Sequence, residues 1–165
     1  MGKRSNFDRN PRDLYPTPYK AVVPLLPHLT PHTRFAEPCC GRMDLAKHLQ
    51  KHGHMAYWCS DIDDHGAAFV DGVSYRGTCI DALKLTTPLK QADCIITNPP
   101  FHKDMLFPLL DHFIKQNKTW LLLPADFAHN IQSAPYMRQC AKIVSIGRVK
   151  WFEGSKASST DNFCW

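Results

Sequence analysis

DCIITNPPF, residues 93–101, is the stretch around which the rest of the chain is organised. Its first half is a short apolar run, which is typical of a buried strand. Pro99 and Pro100 cannot continue a strand, because neither has an N–H group to donate to the hydrogen-bond ladder. The strand is therefore predicted to end at Asn98. An amide, a proline carbonyl and the ring of Phe101 would then lie at the carboxyl edge of a sheet, where open α/β sheets bind ligands.

Outward from this stretch, short apolar runs alternate with segments of helical periodicity. Strands are predicted over residues 34–38, 55–60, 77–81, 93–96 and 119–124, with a strand-like run over 142–152. Helices are predicted after Thr17 as N-cap and Pro18, and over 44–52, 65–71 and 103–115. This alternation predicts an α/β fold, Rossmann-like and doubly wound, with a mainly parallel sheet and helices on both faces. Residues 161–165 would be a short terminal strand or the approach to another strand.

The composition bounds the class of protein. A chain of 165 residues suits one domain, and no apolar run approaches the roughly 20 residues of a membrane span. Seven cysteines with no Cys-x-x-Cys pair favour a reduced cytoplasm and predict no metal site. The net charge of +5 suits a polyanionic partner. Residues 1–14 are expected to be a flexible basic arm, either a solvated tail or a phosphate contact, with its charges on Lys3, Arg4, Arg9 and Arg12.

Acidic residues mark the ends of three predicted strands: Glu37, Asp61 and Asp81. A carboxylate after the second strand can accept both ribose hydroxyls of a nucleoside cofactor. Ile62 would then lie against the adenine ring. Capping of a helix is the alternative for Asp61, and a simple turn is the alternative for Asp81.

Five features taken in chain order resemble a known enzyme family: YPTP at 15–18, FAEPCCGRMDL at 35–45, Asp61, Asp81, and NPPF at 98–101. Together they are similar to class I methyltransferases that use S-adenosylmethionine (SAM), and within that class to the small N6-adenine DNA methyltransferases of phages and prophages. The resemblance runs from about Tyr15 to Trp165. It implies a single class I methyltransferase domain over 15–165 without a separate target-recognition domain.

The resemblance also implies a cofactor site for SAM and its product S-adenosylhomocysteine. Its residues would be Tyr15, Thr17, Pro18, Glu37, Pro38, Gly41, Asp61, Ile62, Asp81 and Asn98. The family pattern has two glycines in the turn after the first strand, which let the backbone approach the ligand. Gly41 matches the first, and Met43 replaces the second. We expect the Met43 side chain to crowd the cofactor if it has a positive φ or faces the cofactor pocket.

Asn98, Pro99, Pro100 and Phe101 form the predicted catalytic motif. An exocyclic amine of adenine is a poor nucleophile, because its lone pair is delocalised into the ring. The Asn98 side-chain oxygen and the Pro99 carbonyl can each accept one amine hydrogen, and these bonds strengthen as positive charge develops on nitrogen. Phe101 can stack on the extruded base. A proline-rich turn with asparagine as a turn former is the alternative.

The target base must leave the duplex to reach such a site. The candidate backbone contacts are Lys103, Arg148, Lys150 and Lys156, and the polar loop 153–160 resembles a mobile edge of the site in this family. The predicted function is therefore methylation of adenine N6 in DNA by a cytoplasmic, monomeric enzyme of a bacterium or phage-infected cell. The alternatives are adenine-N6 or guanine-N2 methylation of RNA, methylation of a protein glutamine amide, and a non-catalytic SAM-fold protein that binds nucleic acid or a partner.

Overall fold

The computed structural model describes residues 14–65, 67–70, 73–76, 78–152 and 158–165, with the backbone alone over 67–76. Its strands are β1 Arg34–Glu37, β2 Met55–Asp61, β3 Ala67–Val70, β4 Val73–Arg76, β5 Thr78–Cys79, β6 Cys94–Thr97, β7 Thr119–Leu121, β8 Leu123–Pro124, β9 Ser145–Arg148 and β10 Asn162–Cys164. Its α-helices are α1 Tyr19–Val22, α2 Asp44–Gln50, α3 Thr87–Gln91, α4 Lys103–Gln116 and α5 Ala134–Met137. Short 3-10 helices cover Val23–His28, Ala82–Lys84, Ala125–His129 and Ile131–Ser133.

A parallel sheet forms the centre, with strand order β5-β2-β1-β6-β7. A second sheet, β8-β10-β9, is antiparallel. Leu122 alone separates β7 from β8, and its N–H donates to the Thr97 carbonyl at 3.1 Å. The two sheets therefore adjoin through one stretch of chain. The carboxyl ends of β1, β2, β5 and β6 all lie at the same edge.

Helices cover both faces of the parallel sheet, because successive side chains of a strand point to opposite sides. Phe35 and Ile96 pack into a core with residues of α1 and α2. Ala36 and Ile95, their neighbours in sequence, pack into a second core with residues of α3 and α4. The α/β prediction with helices on both faces is confirmed.

Ala67–Val70 form a strand, so the short helix predicted over 65–71 is wrong. The chain forms a β-hairpin there, with Ala67 opposite Arg76 and Val70 opposite Val73. Two local signals favour the hairpin over the helix. Asp71-Gly72 is a strong hairpin dipeptide, and the flanking segments are rich in β-branched and aromatic residues.

Other boundaries differ less from prediction. Helix α1 begins at Tyr19 with Pro18 as N-cap, so Thr17 is not the cap, and no side chain caps this helix. The strand predicted over 142–152 is shorter, as β9. The terminal strand is present as β10, and the buried Trp165 after it donates from its indole nitrogen to the Ala21 carbonyl at 2.7 Å.

Two predicted segments fall largely outside the described residues: the basic arm, apart from Leu14, and positions 153–157 of the polar loop. Within the described part of the chain, no helix has the length and apolar character needed to cross a membrane.

Candidate functional site

A cavity of about 780 Å³ lies at the carboxyl edge of the parallel sheet, a size suited to a small-molecule ligand. Most of the predicted site residues line this cavity: Tyr15, Thr17, Glu37, Pro38, Gly41, Asp61, Ile62, Asp81, Asn98 and Pro100. Pro18, Pro99 and Phe101 do not line it, and neither do Lys103, Arg148 and Lys150. Lys156 lies outside the described residues. Residues as far apart in sequence as Tyr15 and Pro100 thus converge on one cleft.

The turn after β1 brings backbone close to this cavity. Gly41 has a φ of 48°, and a Cβ built on it would lie 2.9 Å from the Leu14 side chain. Its N–H donates to a carboxylate oxygen of Asp61 at 2.8 Å. The backbone conformation therefore favours glycine at this position, and a larger residue would displace the end of the Leu14 side chain.

Met43 has a positive φ of 64°, in the left-handed region, which costs a non-glycine residue about 1–2 kcal/mol. Its side chain is 2% exposed and packs in the core with Phe35 and Leu49, and it does not line the cavity. The expected crowding of the cavity is therefore wrong. The Met43 side chain points from the turn into the core, and its burial there offsets the backbone strain.

Asp61 is held by three donors at the end of β2. Besides Gly41, the Asp63 N–H donates to its carboxylate at 3.2 Å, and a ring nitrogen of His65 lies 3.3 Å from it. This network fixes a carboxylate on the cavity wall, and about one acceptor site, on Oδ2, is left for a hydroxyl donor. The ligand atoms of Asp61, Asp63 and His65 also lie within 4.8 Å of one another, but such an acidic group does not by itself define a metal site.

Asp81 is a turn residue, which was the alternative to its predicted role in cofactor binding. Its carboxylate accepts the Leu83 N–H at 3.0 Å and so caps the 3-10 helix Ala82–Lys84. The same side chain lines the cavity. Capping holds the carboxylate in place at that edge, so both roles are compatible.

Glu37 is a buried acid at the end of β1, only 1% exposed. Burial raises the pKa of its carboxyl group well above the ordinary value, and the negative charges of Asp44 and Asp61 raise it further. The Ala46 N–H is hydrogen-bonded to the carboxyl group and opposes this shift. Its Oε2 atom has no hydrogen-bond partner among the described residues. A buried acid of this kind favours a cationic partner, because a positive charge beside it would stabilise the carboxylate.

Asn98 is anchored by residues far away in sequence. Its Nδ2 donates to the Tyr15 carbonyl at 3.3 Å and to the Thr17 hydroxyl at 3.1 Å. A carbonyl can only accept, so the nitrogen end of the amide must face Tyr15, and the oxygen end points the other way. That oxygen, Oδ1, is buried without a partner in the described part of the chain. Thr17 is only 4% exposed, which makes the anchor rigid.

An aromatic cluster lies beside the Asn98 turn. Phe101 packs against Trp151 and Phe163, with ring centroids 6.2 Å and 5.8 Å away. Tyr15 continues the cluster to Trp151 at 5.7 Å and to Phe152 at 5.9 Å. Phe152 is half-exposed and lines the cavity, whereas Phe101 does not. Sequence reasoning missed Phe152; a Trp-Phe pair between a strand and a polar loop was the available signal.

The predicted cations in the described part of the chain lie outside the cavity. Lys103 begins α4, and its ammonium donates to the Gln132 side chain at 2.9 Å. Arg148 and Lys150 are exposed, at and just beyond the end of β9. A smaller cavity of about 190 Å³ is lined in part by Phe101 and Lys103.

Cys39 and Cys40 lie in the turn after β1, and the cavity lining includes both. Burial raises the pKa of each thiol, with Asp61 and Glu37 adding to the effect. Both therefore remain thiols near neutral pH, where their reactivity is low.

Comparison with known proteins adds no family assignment: no protein-family model matches the chain, and no curated protein matches it.

Proposed function

We propose that this protein transfers the methyl group of SAM to the exocyclic N6 amine of adenine in DNA, on a Rossmann-like class I methyltransferase fold. The observation that carries the proposal is the state of Asn98. Its amide nitrogen is anchored to Tyr15 and Thr17, and its oxygen is buried and unpaired among the described residues. An unpaired buried acceptor is costly, and a donor from a ligand would satisfy it.

The chain's own residues fit SAM on two observations. Gly41 lines the cavity without a side chain, so a ligand can approach its backbone closely. Glu37 supplies a buried carboxyl group with an orphaned oxygen, which suits the ammonium group of a methionine moiety. Asp61 would accept a ribose hydroxyl at its remaining site, and Asp81 with Ile62 would hold the adenine. Bound SAM supplies an electrophilic methyl group.

The amine chemistry assigns roles to the Asn98 turn. Asn98 Oδ1 and the Pro99 carbonyl would each accept one hydrogen of the target amine, which aims the nitrogen lone pair at the cofactor. Both acceptors bind more strongly as positive charge develops on that nitrogen, so they stabilise the transition state. The prolines keep the turn stiff, and Thr17 keeps the amide from rotating, so little reorganisation is needed.

DNA as the polyanionic substrate is supported by exposed cations on the described surface. Arg148 and Lys150 lie on either side of the buried Val149 at the end of β9, and Trp151 and Phe152 come directly after Lys150. Cations beside aromatic rings suit a strand that carries phosphates and unstacked bases. Phe101 and Phe152 are the candidate rings for an extruded base.

Calorimetric titration with SAM tests the first half of the proposal. We expect saturable binding in the micromolar range, and no detectable heat at millimolar SAM would refute the enzyme function. Transfer of a tritiated methyl group is then measured on DNA, RNA and protein in parallel. Label in DNA adenine is the expected result; label only in RNA or protein would move the proposal to that acceptor.

A further inference from the structure

Ile131 is an anomaly on the described surface. Its side chain is 85% exposed, whereas the next most exposed large apolar side chain in the described residues, that of Met55, is 56% exposed. Isolated apolar residues on a surface are common, so exposure alone carries little weight. The surroundings of Ile131 make it unusual.

The turn that carries Ile131 is ordered by side-chain and backbone bonds. The Asn130 side chain accepts the Gln132 N–H at 3.1 Å, and the Asn130 carbonyl accepts the Ser133 N–H at 2.9 Å. Ser133 is fully buried on the inner side of the same turn. The isoleucine is therefore held outward by a fixed backbone rather than carried on a loose tip.

The turn also adjoins the candidate amine motif. Asn130 and Phe127 line the smaller cavity together with Phe101, and Lys103 is bonded to Gln132. Three of the eight residues that line that cavity are phenylalanines, and the exposed Asp126 and Lys103 also line it. Aromatic rings beside a carboxylate suit a base, and the lysine suits a neighbouring phosphate. Ile131 thus projects beside this cavity, next to a lysine that can contact the backbone.

We propose that Ile131 is an apolar wedge that enters the base stack of duplex DNA and occupies the gap left by the extruded adenine. The inference rests on the proposed function and deepens it by identifying base-paired DNA as the substrate form. Extrusion of a base costs stacking and pairing energy, and an apolar side chain inserted between base steps recovers part of that cost. Isoleucine is a good wedge, since its branched side chain is stiff and loses little entropy on insertion.

The test compares Ile131→Ala with wild type on unmethylated genomic DNA, native and heat-denatured. Single strands leave no gap to fill, so only the duplex reaction should need the wedge. We expect the initial rate of methyl transfer to fall about tenfold on native DNA, and to change less than about twofold on denatured DNA. Ile131→Leu, which keeps the apolar volume, should retain most of the duplex rate.

Met55→Ala is the matched control, because Met55 is also an exposed apolar residue but begins β2, at the edge of the sheet opposite the site. It should leave both rates unchanged. Equal duplex rates for Ile131→Ala and wild type would overturn the wedge, and so would an equal loss on both substrates, which would indicate a general contact. A wild-type protein that methylates neither substrate would instead refute the proposed function and, with it, this inference.

Discussion

After β1 the chain turns through Gly41 and Met43, both with positive φ, whereas after the neighbouring strand β6 it leaves through two prolines. The first turn presents backbone to the cavity and directs its large side chain into the core. The second presents a side chain, the Asn98 amide, and fixes it from outside the turn through Tyr15 and Thr17.

The difference between these turns shows what each position tolerates. In the turn after β1, conformation matters more than residue type, because a methionine can adopt the left-handed region when its side chain has a core to enter. In the turn after β6, the residue type and its distant anchor both matter. A substitution at Met43 should therefore act on stability, and a substitution at Asn98 should act on chemistry.

Asn98→Ala should produce the largest effect. It removes the unpaired acceptor and leaves the sheet intact, so we expect kcat to fall about 100-fold or more, as for loss of an oxyanion-hole donor. The SAM dissociation constant from calorimetry should change less than about threefold. Gln139→Ala, which removes a side-chain amide on the exposed surface, should have neither effect. Retained transfer activity in Asn98→Ala would remove Asn98 from the mechanism.

Glu37→Gln should change how stability depends on pH. The folded state raises the pKa of Glu37, so from about pH 4.5 upward the folded protein binds more protons than the unfolded chain. The free energy of unfolding should therefore fall by up to about 1.4 kcal/mol per pH unit until the folded pKa is reached.

The neutral glutamine should remove this slope and make the ligand-free protein more stable than wild type at pH 8. Urea denaturation at intervals between pH 5 and pH 8 measures both curves. Parallel curves for the two proteins would show that the Glu37 carboxyl ionises as freely when folded as when unfolded.

Met43→Gly should lower stability without changing SAM affinity, whereas substitution of Asn98 should lower kcat. The change relieves backbone strain worth about 1–2 kcal/mol but removes a buried side chain worth about 2–5 kcal/mol, so we expect a net loss of about 1–3 kcal/mol of stability. Leu49→Ala, in the same core without strain to relieve, should lose about 2–5 kcal/mol. SAM affinity should be unchanged in Met43→Gly; a large gain in affinity would show that the methionine crowds the cofactor.

Thr17→Val should produce the smallest effect on activity. It removes one of two anchors of the Asn98 amide at nearly constant volume, so the loss of about 1 kcal/mol for one hydrogen bond corresponds to a five- to tenfold fall in kcat. Thr17→Ser keeps the hydroxyl and should restore the rate. If the valine variant instead weakens SAM binding with kcat unchanged, Thr17 contacts the cofactor rather than positioning Asn98.

The positions of most strands, and the edge of the sheet where the site residues meet, were predictable because they follow from local patterns. Apolar runs placed β1, β2, β6 and β7, and the pair of prolines placed the end of β6. The helix over 65–71 was mispredicted, since short segments carry too little periodicity to separate a helix from a hairpin. The cap role of Thr17 was mispredicted for a different reason. A hydroxyl beside a helix start is an N-cap by default, and only a distant partner, Asn98, shows that it serves elsewhere.

The chain's local chemistry alone determined which residues could meet at one sheet edge: acids after three strands, a glycine in the first turn, and an amide before two prolines. Each of those patterns involves only residues that are close in sequence, so it can be recognised without knowing the fold. Three features were decided only by the tertiary structure. The nitrogen end of the Asn98 amide faces its anchor, and the Met43 side chain points into the core. Burial also raises the pKa of the Glu37 carboxyl group. Each depends on atoms brought together from distant segments, and a sequence does not record those distances.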